Sequence, residues 1–169
     1  MTPEKEKYYE NATKKLLKTI DEMGLGKLKS ARARSLILLF RDSFKLPNVK
    51  YKTFKDELGD NIGYLTYDSE GFCRVASIDF ALMMGNIKEW QLMYVNERWT
   101  YGTHHYLMHM PSKTILDLTY DQFTNYGIEI PYNIGTEIPL RVASDDSATK
   151  FASAVGINDL WQELKKQND

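Results

Sequence analysis

Apolar positions recur at helical spacing near the amino terminus and again around residues 72–84, and the pattern turns strand-like after residue 88. Leu16, Leu17, Ile20 and Met23 form a stripe that predicts a helix over residues 3–24. Thr2-Pro3 suits an N-cap followed by proline in the first turn. Glu4 and Glu6 complement the positive end of the helix, and Gly24 and Gly26 end it. A second helix is predicted over residues 28–44, with Ala31, Leu36, Leu39 and Phe40 inward and Pro47 beyond its end. Val49–Tyr67 carries a weaker pattern that allows a short helix around Thr53–Leu58 and then a loop, with Tyr67–Gly71 as a turn. Phe72–Met84 is apolar on a helical period through Val75, Ile78, Phe80, Leu82 and Met83, and Gly85 closes it.

Three strands follow: Glu89–Glu97, Thr103–Met110 and Lys113–Leu118, the last two joined by a tight turn at Pro111-Ser112. Thr136–Val142 reads as a fourth strand, placed at an edge because Pro139 has no N–H to give the ladder. Ser144-Asp145-Asp146 caps a helix to Val155, and a last helix starts at Asn158 or Asp159 and carries Trp161 and Leu164. Helices, then an antiparallel meander, then helices describe an α+β chain. It is expected to be one domain over 1–169, with a helical extension (1–60), a core (61–142) and carboxy-terminal helices (143–169).

Composition narrows this picture without redirecting it. Hydrophobic residues make up 43% and charged residues 27% of the 169, the usage of a chain that buries a core. The formal charge of −1 supplies no field for nucleic acid or an anionic membrane. The basic set Lys27, Lys29, Arg32, Arg34 and Arg41 therefore reads as a solvated face. The most apolar run, Ser35–Phe40, is far too short to span a bilayer. One cysteine and a start without a signal-peptide pattern lead to the expectation of a cytoplasmic protein.

That one cysteine, Cys73, is a packed thiol, a metal ligand or a nucleophile. At the start of the predicted helix over 72–84 it would face unpaired backbone N–H groups, which lower a thiol's pKa and can hold an oxyanion; Arg74 would add to the effect. Strand alternation puts His104, Tyr106 and Met108 on one face, and His105, Leu107 and His109 on the other. Counting outward from Pro111-Ser112, Met110 opposes Lys113, Met108 opposes Ile115, Tyr106 opposes Asp117 and His104 opposes Thr119. His104 and Asp117 are then diagonal on one face, and a one-residue slip would substitute His105 as base. Asp117 alone could instead cap the turn before Thr119. Gln122 reads as a buried amide near this site or a direct substrate contact, Trp90, Trp99 and Tyr101 as groove wall or core, and the tyrosine-rich stretch 120–132 as a rim or lid. Cys73, His104, His105, His109 and Asp117 are enough donors for zinc. However, adjacent histidines on a strand diverge and no Cys-x-x-Cys or helical His pair is present, so no metal is expected.

Thr103-His104-His105-Tyr106-Leu107 followed by Leu116-Asp117-Leu118-Thr119 resembles the "His-x-aromatic … Asp-Pro-Thr" pair of transglutaminase-like enzymes. Gly71-Phe72-Cys73 and Asp117-Leu118-Thr119-Tyr120-Asp121-Gln122-Phe123 resemble segments of small bacterial and phage proteins of the YunG-like kind. The likeness covers roughly residues 63–125. It implies a papain/transglutaminase-like fold with Cys73 as nucleophile, His104 as base and Asp117 as its orienter, and no metal or organic cofactor. The implied activity is acyl transfer on an amide bond of a protein or peptide, as a peptidase, isopeptidase, deamidase or transglutaminase-type enzyme. Two departures stand out. Leu118 replaces the proline, and no glutamine precedes Cys73 as oxyanion donor, which leaves Tyr64, Tyr67 or a backbone N–H for that role. A non-catalytic binding or inhibitor module on the same fold, phage- or defence-related, is the alternative.

Overall fold

The computed structural model describes residues 2–96, 101–141 and 145–168. Helix α1 (Pro3–Glu22) starts as its sequence requires, with the Thr2 hydroxyl accepting from the Lys5 amide. It buries Tyr9, Ala12, Leu16 and Ile20. Helix α2 (Lys27–Phe44) turns Ala33, Leu36, Ile37, Phe40 and Phe44 inward, whereas Ala31 faces solvent. Helix α3 (Pro47–Leu58) begins a full turn and a half before the expected Thr53: Pro47 starts this helix as well as ending the previous one. Val49, Thr53 and Phe54 form its buried face.

Helix α4 (Cys73–Met83) is the centre of the molecule. Every residue from Val75 to Met83 is buried, because α4 packs on the sheet on one side and on helices α6 (Asp146–Ala154) and α7 (Asn158–Asn168) on the other. Trp161 docks α7 by donating its indole N–H to Asp79 at 2.8 Å. Burial holds that Asp79 carboxyl well above the usual carboxylate range.

The sheet has the order β3-β2-β1-β4, all antiparallel: β1 is Trp90–Val95, β2 His104–His109, β3 Thr114–Leu116 and β4 Thr136–Ile138. Met108 opposes Ile115, the expected register, but the ladder closes at His109 opposite Thr114. Met110–Lys113 form the turn, with Lys113 in the left-handed region at φ 55°. The last expected residues of the third strand leave the ladder because the Asp117 carboxylate accepts the Thr119 amide (3.2 Å) and starts a turn. β4 lies at the sheet edge as expected, but it stops at Ile138, before Pro139, instead of continuing through it. Glu97, Val142 and Ser144, expected at element ends, lie outside the described residues.

Two features aim the start of α4. Gly71 takes φ 89°, and a Cβ there would come 2.8 Å from the Leu65 side chain, so this turn requires glycine. Phe72, next to the cysteine, is stacked on Phe44 at 4.4 Å and packs against Phe54 and Phe151, which binds the start of α4 to α2, α3 and α6. Helices α1–α3 share one hydrophobic core with α4 and the sheet, so the amino-terminal 60 residues complete the fold instead of standing apart from it.

The main correction concerns Arg41. It does not belong to a solvated face: it is 1% exposed and lies on the buried stripe one turn from Ile37 and Phe44. Its guanidinium makes a paired contact with Asp121 (2.7 and 2.9 Å) and donates to Thr13 Oγ1 and to the Tyr9 and Leu118 carbonyls. Tyr9 Oη donates back to the Arg41 carbonyl. Removing one partner of such a pair strands the other charge in the core. Arg41→Met is expected to lower stability by about 3–5 kcal/mol, read from urea unfolding. A loss below about 1 kcal/mol, as for a surface arginine, would contradict this placement.

Candidate active site

Cys73 is the first residue of α4, preceded by Phe72, whose side chain gives the helix no capping bond. The leading amides of α4 therefore have no side-chain acceptor from the cap residue. The thiol is half-buried. The start of β2 brings an imidazole to it: His105 Nδ1 lies 3.9 Å from Sγ, and the neighbouring His104 also lowers the thiol's pKa.

His104 is completely buried, and its Nε2 meets Asp117 Oδ2 at 2.6 Å. The same carboxylate accepts from Tyr132 Oη (2.8 Å, on Oδ2) and from the Thr119 amide (3.2 Å, on Oδ1). Three donors thus fix Asp117, and Asp117 fixes the ring. Phe123 closes over the His104 ring edge-on at 4.9 Å.

The electrostatics follow from this geometry. Burial works to raise the Cys73 pKa, but hydrogen bonding and charge from His104 and His105 outweigh it and bring the thiol down to about 5. Burial favours neutral His104, yet the charge and hydrogen bond of Asp117, helped by Cys73, raise it to about 10. Between those limits the resting site is a thiolate beside an imidazolium, and its titration steps belong to the pair. Burial, then the Asp117 charge, keep the Tyr132 hydroxyl protonated far above its ordinary range, so it is a permanent donor to Asp117.

The structure brings His105 to Cys73 and Asp117 to the adjacent His104, and it commits the other described candidates elsewhere. Tyr67 is buried and gives its hydroxyl to Asp121 (2.9 Å), so it is a structural residue of the Arg41 cluster rather than an oxyanion donor. Tyr64 projects into solvent at 78% exposure. Gln122 donates to Thr119 Oγ1 (2.9 Å) and braces the turn after Asp117. Arg74 turns away from the sulfur to Glu57 and Asp145. Trp90 belongs to the core against Phe80 and His109, and Trp99 lies outside the described residues.

Asp117 plays both sequence-stated parts at once, capping Thr119 with one oxygen and holding His104 with the other. Tyr132 is the site residue that sequence reasoning missed; its only signal was membership of the tyrosine-rich stretch 120–132. No group of three or more His, Cys, Asp or Glu among the described residues could hold a metal ion. No protein-family model, curated protein or solved structure matches this chain, so the site rests on its geometry.

The pH dependence has a definite sign. A depressed thiol pKa means that the reactive thiolate is present above pH about 5 and is lost only below it. Iodoacetamide should alkylate Cys73 at near-maximal rate at pH 6–7 in the wild type. In His104→Ala the rise should move toward the ordinary thiol range near about 8.5. Superimposable profiles would contradict the pairing.

Proposed function

We propose that this chain is a cysteine-dependent acyl-transfer enzyme of papain-like or transglutaminase-like fold, acting on an amide carbonyl of a protein or peptide. One observation carries the reading: a half-buried thiol at a helix N-terminus stands against two imidazoles, one of them held by a buried carboxylate. Inert cysteines are not supplied with a proton acceptor and a charge that depresses their pKa.

In this reading the Cys73 thiolate attacks the carbonyl carbon and a C–S bond forms. The carbonyl oxygen, now negative, turns to the leading amides of α4. Backbone donors must serve here, because Tyr67 is committed to Asp121 and Tyr64 faces solvent. His104 gives its Nδ1 proton to the leaving nitrogen as the C–N bond breaks, and Asp117 stabilises the ring throughout. Water then releases the acyl group in a hydrolase, or an amine takes it in a transglutaminase-type reaction. Hydrolysis needs no second binding site and is the simpler outcome.

The same two tyrosines support a second reading, a binding or inhibitor module that keeps the fold without turnover: neither Tyr64 nor Tyr67 is aimed to complete an oxyanion hole. Incubation with casein and with a glutamine-containing peptide separates the two, by following new amino termini and released ammonia. The enzyme reading predicts one of these products, its absence in Cys73→Ala, and a fall of roughly 10³–10⁴-fold in Asp117→Asn. No product from a wild type that alkylates normally would favour the binding module.

A further inference from the structure

Adjacent strand residues normally point to opposite faces, yet both His104 and His105 act on one sulfur. The two rings are not equivalent. His104 is fully buried, its Nε2 is held by Asp117 and Phe123 covers its edge. His105 is half-buried and shares the α4-facing side of β2 with Leu107 and His109. Its ring rests on Tyr94, its cross-strand partner, with centroids 5.0 Å apart, which limits its rotation. Its Nδ1 stands 3.9 Å from Sγ, long for a direct bond and suited to a nitrogen that reaches a group attached to the sulfur.

From this we infer a division of labour: His104 holds the ion pair and serves acylation, and His105 is the base that activates water against the acyl-enzyme. The inference rests on the acyl-transfer reading above. In the resting protein His105 Nδ1 donates toward the thiolate. Acylation removes that negative charge, the ring proton exchanges through solvent from Nδ1 to Nε2, and Nδ1 is then the acceptor. Water approaching from the exposed side places its oxygen on the thioester carbon and passes one proton to His105 Nδ1, and from there to solvent. The C–S bond then breaks, its electron pair returns to sulfur as thiolate, and the product acid passes the second proton to His104, which restores the imidazolium, and leaves as a carboxylate. Of the two rings, half-buried His105 is the more accessible to incoming water and fully buried His104 the less.

4-Nitrophenyl acetate with the full chain separates the two half-reactions: the burst of nitrophenolate reports acylation and the steady state reports deacylation. In His105→Gln, and in His105→Asn as an independent variant, the acyl-enzyme should still form. Steady-state release should fall about a hundredfold, as for loss of a general base, and an acetyl adduct on Cys73 should accumulate by intact mass. Alkylation by iodoacetamide should persist in both variants, its rise displaced only part of the way toward the ordinary thiol range because His104 still supports the thiolate, and added imidazole should restore part of the turnover. Unchanged steady-state release, or loss of burst, alkylation and turnover together, would overturn the assignment. A wild type that alkylates at pH 6 but gives no burst would instead sink the acyl-transfer reading itself.

Discussion

Arg41 and Asp121 lie 80 positions apart and meet through paired hydrogen bonds in a place that water does not reach. Two charges taken out of water are tolerated only when their remaining donors and lone pairs are filled. Here they are filled by the whole neighbourhood: Thr13 and Tyr9 from α1, the Leu118 carbonyl, the Tyr67 hydroxyl and the Ser69 hydroxyl. Those partners are the segments that carry the site. Tyr67 and Ser69 belong to the turn leading into Cys73, and Leu118 and Asp121 belong to the turn leaving Asp117. A single ion pair thus registers the nucleophile's approach against the carboxylate's exit.

Within that frame the candidate site is an arrangement of charge more than of shape. The thiolate is stabilised by helix amides and two imidazoles, the buried imidazole by a carboxylate, and the carboxylate by Tyr132 and Thr119. The chain of hydrogen bonds runs inward from the half-buried thiol to the buried His104 and Asp117, and half-buried Tyr132 carries it back toward the surface. Gly135 shows how closely this end is fitted. A Cβ there would come within 2.0 Å of the Tyr106 hydroxyl, which itself donates to the Tyr132 carbonyl. The backbone passing Tyr132 can approach that closely only without a side chain.

Much of this was legible in the residues because periodicity is a direct record of burial. The stripes of α1 and α4 and the register that sets Met108 opposite Ile115 follow from spacing alone. So does the diagonal meeting of His104 and Asp117. Other features were hidden for physical reasons. Arg41 was read by its charge, although its position among Ile37, Phe40 and Phe44 put it on the buried face. Tyr132 follows a proline in an irregular segment with no period to read. Tyr67 looked like a free phenol beside the cysteine, and only the unforeseen Asp121 explains its commitment elsewhere. Sequence pattern reports which face is buried; it does not report which buried polar groups find each other.

The account stands on the charge state of one sulfur at neutral pH. Its most direct measurement is the carbon-13 chemical shift of Cys73 Cβ followed by NMR across pH, in the wild type and in Asp117→Asn. The account predicts a wild-type transition near pH 5, displaced upward when the carboxylate no longer supports His104. A single transition near the ordinary thiol value of about 8.5, the same in both proteins, would contradict it.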